Sequence, residues 1–297
     1  MGSYPPPPHL PQQEILPPEP GQFSVEEREL QAVRERAAGT REKSAPRSWA
    51  HAPATYVLVG INCLVFLGMV LSGVSFMDPS PAQLIHWGAN NSEYVLLGNQ
   101  WWRIVTAMFV HVGIIHLATN MWCLWNLGLL GEPLLGRTGM FATYVLSGAA
   151  GNLLSIGWDK ASGPGTAVGA GASGAVFGLA GVLIVLLKSK RLPVPEKELA
   201  GLRRYVIYFA AINFVIGFGS LALPTPVKID NMAHLGGFLG GLLFALPLVP
   251  RIGSPKPLFL LRRRLAIGLL SGVLVLFGFY ISTAVGPTRD VPAEQPQ

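Results

Sequence analysis

Ser173, His234, His116 and Asn120 are the residues of this 297-residue chain whose types fit a single reaction. A serine hydroxyl is a poor nucleophile until a base takes its proton, and a neutral imidazole does this near physiological pH. Ser173 and His234 thus offer a nucleophile and a general base. Attack on a carbonyl builds negative charge on oxygen, and that charge needs donors aimed at it. His116, Asn120 and the backbone N–H of Ser173, at the head of its helix, are of the right kind to donate. Phe177, four residues after Ser173 and so on the same helix face, is placed to stack on the His234 ring.

The elements that must hold these groups lie in a membrane. Half of the residues are hydrophobic and 13% are charged, and several apolar runs approach 20 residues. That composition excludes an ordinary soluble domain and fits an all-α polytopic membrane protein. The net charge of +6 is explained by Lys and Arg gathered in loops on one side of the bilayer, so no nucleic-acid partner is expected. Cys63 and Cys123 both fall within apolar runs, against a disulfide framework or a zinc site.

Residues 1–50, rich in Pro, Glu, Gln and Arg, read as a disordered cytoplasmic tail. A transmembrane domain is expected over 51–250, a connection with a seventh span over 251–285, and a short tail over 286–297. The spans read as 54–76, 104–130, 140–158, 173–187, 205–221, 231–248 and 265–284. Between the first two, residues 77–103 hold Trp87, Trp101 and Trp102 and read as an interfacial element. Arg41, Lys43 and Arg47 put the N-terminus in the cytoplasm. The basic runs after spans four and six then fall on that same side.

Glycines and Pro164 exclude a stable helix from 163 to 171, and the apolar run that Ser173 opens is short. About 15 residues make roughly 22 Å, against about 30 Å of hydrocarbon, so Ser173 starts its helix below one membrane face. Non-helical backbone at that depth must line a cavity. Counted from the other end of each span, Ser173 is 15 residues above Lys188, His116 is 16 above Glu132, and His234 is 17 above Arg251. The three side chains are therefore expected at one depth, with Asn120 a turn deeper than His116.

Each feature alone also has a plainer reading. The run Gly171-Ala172-Ser173-Gly174 also serves helix packing, His234 serves proton handling, and His116 with Asn120 serves helix joining. His111 reads as structural, Asp230 as the cap of the sixth span, and Asn152 and Asn213 as interhelical hydrogen bonders.

Taken together, Trp102-Arg103, His111 with His116 and Asn120, Gly171-Ala172-Ser173-Gly174, and Ala233-His234 with Gly237 and Gly241 resemble the rhomboid intramembrane serine proteases. The resemblance covers residues 54–250 and implies a rhomboid-like six-helix bundle, to which this chain adds a seventh C-terminal transmembrane helix. It implies a Ser173–His234 dyad, an oxyanion hole of His116, Asn120 and the Ser173 amide, and supporting roles for Phe177, Gly171, Gly174, Gly237 and Gly241. Phe177 stands where many relatives carry Tyr. Substrates would be single-span membrane proteins entering from the lipid bilayer near the fifth span, with no metal or cofactor. The expected location is a bacterial inner membrane; oligomeric state is not indicated. A catalytically silent client-binding relative is the alternative. A transporter would need acidic groups at mid-membrane, and the spans hold essentially none.

Overall fold

The computed structural model describes residues 51–162, 167–188, 195–222, 229–249 and 256–284. The expectations for the two tails, and the position of Arg251, fall outside them. The first long helix, α1 (Pro53–Leu71), opens with proline at its first position, where the missing N–H costs nothing. Its next donors, the Ala54 and Thr55 amides and the Thr55 hydroxyl, all give their hydrogens to the carboxylate of Glu132, at 3.0, 2.8 and 2.9 Å. Glu132 is buried. It is therefore not the end mark of the second span from which His116 is counted but an interior anion at a helix N-terminus, where the dipole favours it.

Three short helices follow: α2 (Pro81–His86), α3 (Ser92–Leu96) and α4 (Arg103–Thr106). A capping box of Ser80 and Gln83 starts α2, and the Asn91 side chain caps α3. Buried Arg103 holds them together. It donates to Gln100 Oε1 and to the carbonyls of Ile85 and Ala89, and its guanidinium lies over the rings of Tyr94 and Trp102. The segment is a folded loop built on one cation.

The next helix, α5 (Ile114–Ser162), is broken at Gly136, whose φ of 71° and ψ of 165° suit a residue without a side chain. Its halves, 114–135 and 137–162, are the second and third spans. They run in opposite directions, because the far half ends beside the loop that precedes the near one: Asn152 Nδ2 donates to the Ile104 carbonyl. Four helices follow: α6 (Ser173–Leu186), α7 (Glu196–Ala222), α8 (Asn231–Ala245) and α9 (Lys256–Ala284). The fifth and seventh spans begin at Glu196 and Lys256, earlier than the apolar patterns indicate, because both helices run through charged residues, Glu196 to Arg204 in one and Arg262 to Arg264 in the other. These elements make an all-α polytopic bundle.

The second half of α5, with α6 and α8, forms the centre, and glycines let the three meet backbone to backbone. A side chain at Gly151 or Gly174 would press on the Ala233 carbonyl, one at Gly237 on that of Gly174, and one at Gly241 on that of Gly178. Helices α1, α7 and α9 stand outside and expose Leu64, Leu71, Val215, Val275 and Phe279, as a lipid-facing surface requires. At one end of α9, Arg263 Nη1 donates to the Leu135 carbonyl beside the Gly136 break. At its other end Ile281 packs with Val95, Ile156 and Trp101.

Replacing Gly241 by leucine should destabilise the bundle by about 1–3 kcal/mol or more, because there is no room beside the Gly178 carbonyl. Thermal unfolding of the detergent-solubilised variant checks this.

Candidate active site

Ser173 is the first residue of α6, and the residue capping that helix, Ala172, has no side chain to offer its amides. The loop leading in is held through its backbone instead. Asn90 and Gly169 exchange both hydrogen bonds of an antiparallel bridge, and the Gly171 amide donates to the Ala107 carbonyl at 2.9 Å. Gly171 has φ 130°, and a Cβ there would strike the His116 ring, 2.5 Å from Cε1 and 3.0 Å from Nε2. A glycine is thus required twice, for the backbone turn and for the imidazole lying against it.

His111 and His116 are fixed differently. His111 is fully buried; its Nδ1 faces the Phe109 carbonyl at 3.2 Å and its Nε2 faces the Ala172 amide at 3.4 Å. A neutral ring with its proton on Nδ1 satisfies both. His111 therefore takes up the amide just before Ser173, a structural duty to the loop leading into α6. In His116 the order is reversed: Nδ1 accepts from the Val112 amide at 3.3 Å, which leaves Nε2 carrying the proton and lying towards Gly171. Asn120, also buried, spends one amide hydrogen on the His116 carbonyl at 2.9 Å and keeps the second.

His234 lies in the first turn of α8, buried, with its ring stacked on Phe177 at 4.3 Å between centroids and 18° between planes. Phe214 of α7 closes the group, 4.7 Å from Phe177 and edge-on to His234 at 6.4 Å. The contacts of Gly174 with Ala233 and Gly237 bring the first turns of α6 and α8 together. His234 Nδ1 is sealed without a partner, and among the described residues no hydrogen bond joins the Ser173 hydroxyl to this ring. The structure thus gathers Gly171, Ser173, Gly174, Phe177, His116, His234 and Gly237 around two touching helix starts. Gly241 lies two turns down the same contact.

Depth counting reached this convergence on a faulty mark, since Glu132 is interior and the helix below His116 runs on to Gly136. Asp230 is the cap of α8: Oδ1 accepts from the Ala233 amide at 2.8 Å and Oδ2 from the Ser155 hydroxyl. Burial pushes its carboxyl above the usual carboxylate range, against the pull of these hydrogen bonds. Asn152 does join elements, but Asn213 donates to Phe209 on its own helix, not to a neighbour. The sequence reading passed over Tyr144, which donates to the Met108 carbonyl at 3.1 Å and takes a hydrogen bond from Asn62 Nδ2 at 3.0 Å. Two polar side chains inside spans one and three were the available signal.

Replacing His111 by leucine should cost about 2–4 kcal/mol, since it strands the buried Ala172 amide and Phe109 carbonyl. Denaturant unfolding gives the loss, and faster hydrogen exchange at the Ala172 amide locates it.

Comparison with known proteins gives a consistent result. Residues 98–251 match the Rhomboid domain family. The chain is similar to Rhomboid protease GluP of Bacillus subtilis (strain 168), 30% identical over 226 residues, covering 76% of this chain and 40% of that protein. It is similar to RHOMBOID-like protein 6, mitochondrial, of Arabidopsis thaliana, 35% identical over 180 residues, covering 60% and 54%. It is also similar to Rhomboid protease AarA of Providencia stuartii, 27% identical over 241 residues, covering 76% and 83%. The chain thus spans about half the length of the first two.

Proposed function

This chain belongs to the rhomboid family, which includes proteases, and from that premise we propose that it is an intramembrane serine endopeptidase using Ser173 and His234. The observation that carries the reading is the Phe177–His234 stack, one turn below Ser173 on helices in backbone contact. That stack fixes the imidazole plane beside the head of α6.

Ser173 Oγ attacks the scissile carbonyl and passes its proton to His234. With Nδ1 sealed, Nε2 is the nitrogen that receives it. The new C–O bond puts the carbonyl electron pair on oxygen. His116 Nε2–H, the unspent amide hydrogen of Asn120 and the Ser173 amide at the positive end of α6 donate to it. Collapse of the intermediate breaks the C–N bond. The amine leaves with the proton from His234, and water, deprotonated by the same ring, hydrolyses the acyl-enzyme and restores the serine. The Ser173–His234 hydrogen bond would close on substrate binding, as catalytic contacts in unliganded enzymes often do.

The protein is a multi-pass integral membrane protein, and its substrates are proposed to be single-span membrane proteins whose helix unwinds near the cut. A bacterial inner membrane with a cytoplasmic N-terminus remains the proposed setting. The unformed Ser173–His234 bond is the one observation favouring a catalytically silent, client-binding protein instead.

A fluorophosphonate probe and a fluorogenic transmembrane peptide separate the two readings. The wild type should be labelled and should cleave, Ser173→Ala should do neither, and His234→Ala should lose about 10³-fold or more in kcat. Labelling of Ser173→Ala equal to wild type would sink the assignment. His116→Ala should lower kcat by about 10²-fold with a smaller effect on KM, the signature of a transition-state donor.

A further inference from the structure

Asn231 is the first residue of α8 and is 7% exposed, yet neither Nδ2 nor Oδ1 of its carboxamide has a hydrogen-bond partner. A buried amide left wholly unpaired is uncommon and costly, so a state of the protein that satisfies it is to be sought. The neighbours show where it points. Oδ1 lies against Gly217 of α7, where any side chain would overlap it. One turn away Phe214 meets the His234 ring edge-on, and it meets Phe238 at 6.2 Å. Residue numbers rise along α7 as they fall along α8, so α7 lies antiparallel over the α8 face that carries Asn231 and His234.

That cover is slight. Only 17% of the apolar stretch of α7 is buried, and Phe214, its described side chain against α8, offers a carboxamide no hydrogen bond. A group that gives up α7 would need both a donor and an acceptor supplied from elsewhere. An extended peptide presents one N–H and one C=O per residue, the complement of a carboxamide. Building on the protease reading above, we infer that Asn231 docks the substrate backbone, taking one N–H and one C=O of an extended chain lying between α7 and α8. The spacing suits this role. Asn231 precedes His234 by three residues, about 4.5 Å along the helix axis. An extended chain advances about 3.3 Å per residue, so Asn231 meets the backbone one or two residues from the bond to be cut. Recognition of this kind is blind to side chains and demands only that the substrate leave helical form, since helical N–H and C=O groups are already paired.

The test uses full-length protein with Asn231→Ala and the near-isosteric Asn231→Leu. It measures fluorophosphonate labelling, thermal unfolding, and cleavage of a quenched leucine-rich transmembrane peptide with an Ala-Gly centre. Labelling should stay within about twofold of wild type, because the probe has no strand to dock. Melting temperature should hold or rise, since an unpaired buried amide is removed. KM should rise by about five- to tenfold with little change in kcat. Peptides with an ester in place of one amide, scanned around the centre, should show the same rise on wild type at one position and no further rise on Asn231→Ala. Unchanged KM in a wild type and variants that all label, or a fall in melting temperature in both variants, overturns the docking role and leaves the protease reading standing. A wild type that neither labels nor cleaves overturns both.

Discussion

The bare backbone contact between α6 and α8 is the constraint on which the rest of this structure depends. A hydroxyl and an imidazole on two different helices can meet only if the helix axes come closer than ordinary side chains permit. Gly174, Gly178, Gly237 and Gly241 remove those side chains. The approach is driven by packing and weak polar contact, because lipid gives apolar helices no reason to leave it. Everything else at the site is arranged around this fixed pair. The Phe177 ring settles the plane of the imidazole, and Asp230 starts α8 at the register that puts His234 opposite.

The loop before α6 shows how a membrane protein supports irregular backbone away from bulk water. Two amides of the loop leading into α6 have named acceptors: Ala107 for Gly171 and His111 for Ala172. His111 is in turn held by the Phe109 carbonyl, Tyr144 donates to the neighbouring Met108 carbonyl, and the Asn90–Gly169 bridge closes the loop. The Ser173 amide is the one the proposed mechanism assigns to the carbonyl oxygen of the substrate.

Much of this was legible before any coordinates. Ser173 and Phe177 share a face by helical spacing alone, and the stack on His234 follows once small residues at Gly237 and Gly241 allow the approach. What the sequence hid were partners distant in the chain. Glu132 passes for the end of a span because nothing near it in sequence needs an anion; its partners, Ala54 and Thr55, are contributed by another helix. Asn213 reads like a cross-helix donor, but a carboxamide can always turn back to the carbonyl four residues earlier, and here it does. The early starts of α7 and α9 were missed for a related reason. Hydropathy marks where lipid begins, and a helix ends where its backbone hydrogen bonds do.

The last described helix, α9, lies outside the residues that match the family, yet it grips the core at both ends. Arg263 satisfies a carbonyl at the break between the two halves of α5, a negative helix terminus that a cation suits, while Ile281 is wedged against Trp101 and Ile156 at the opposite rim. A rod anchored at two heights fixes the slant of whatever stands between its anchors. The near half of α5 carries His116 and Asn120, the donors proposed for the oxyanion, and this outer strut braces the opposite end of that half, at the break.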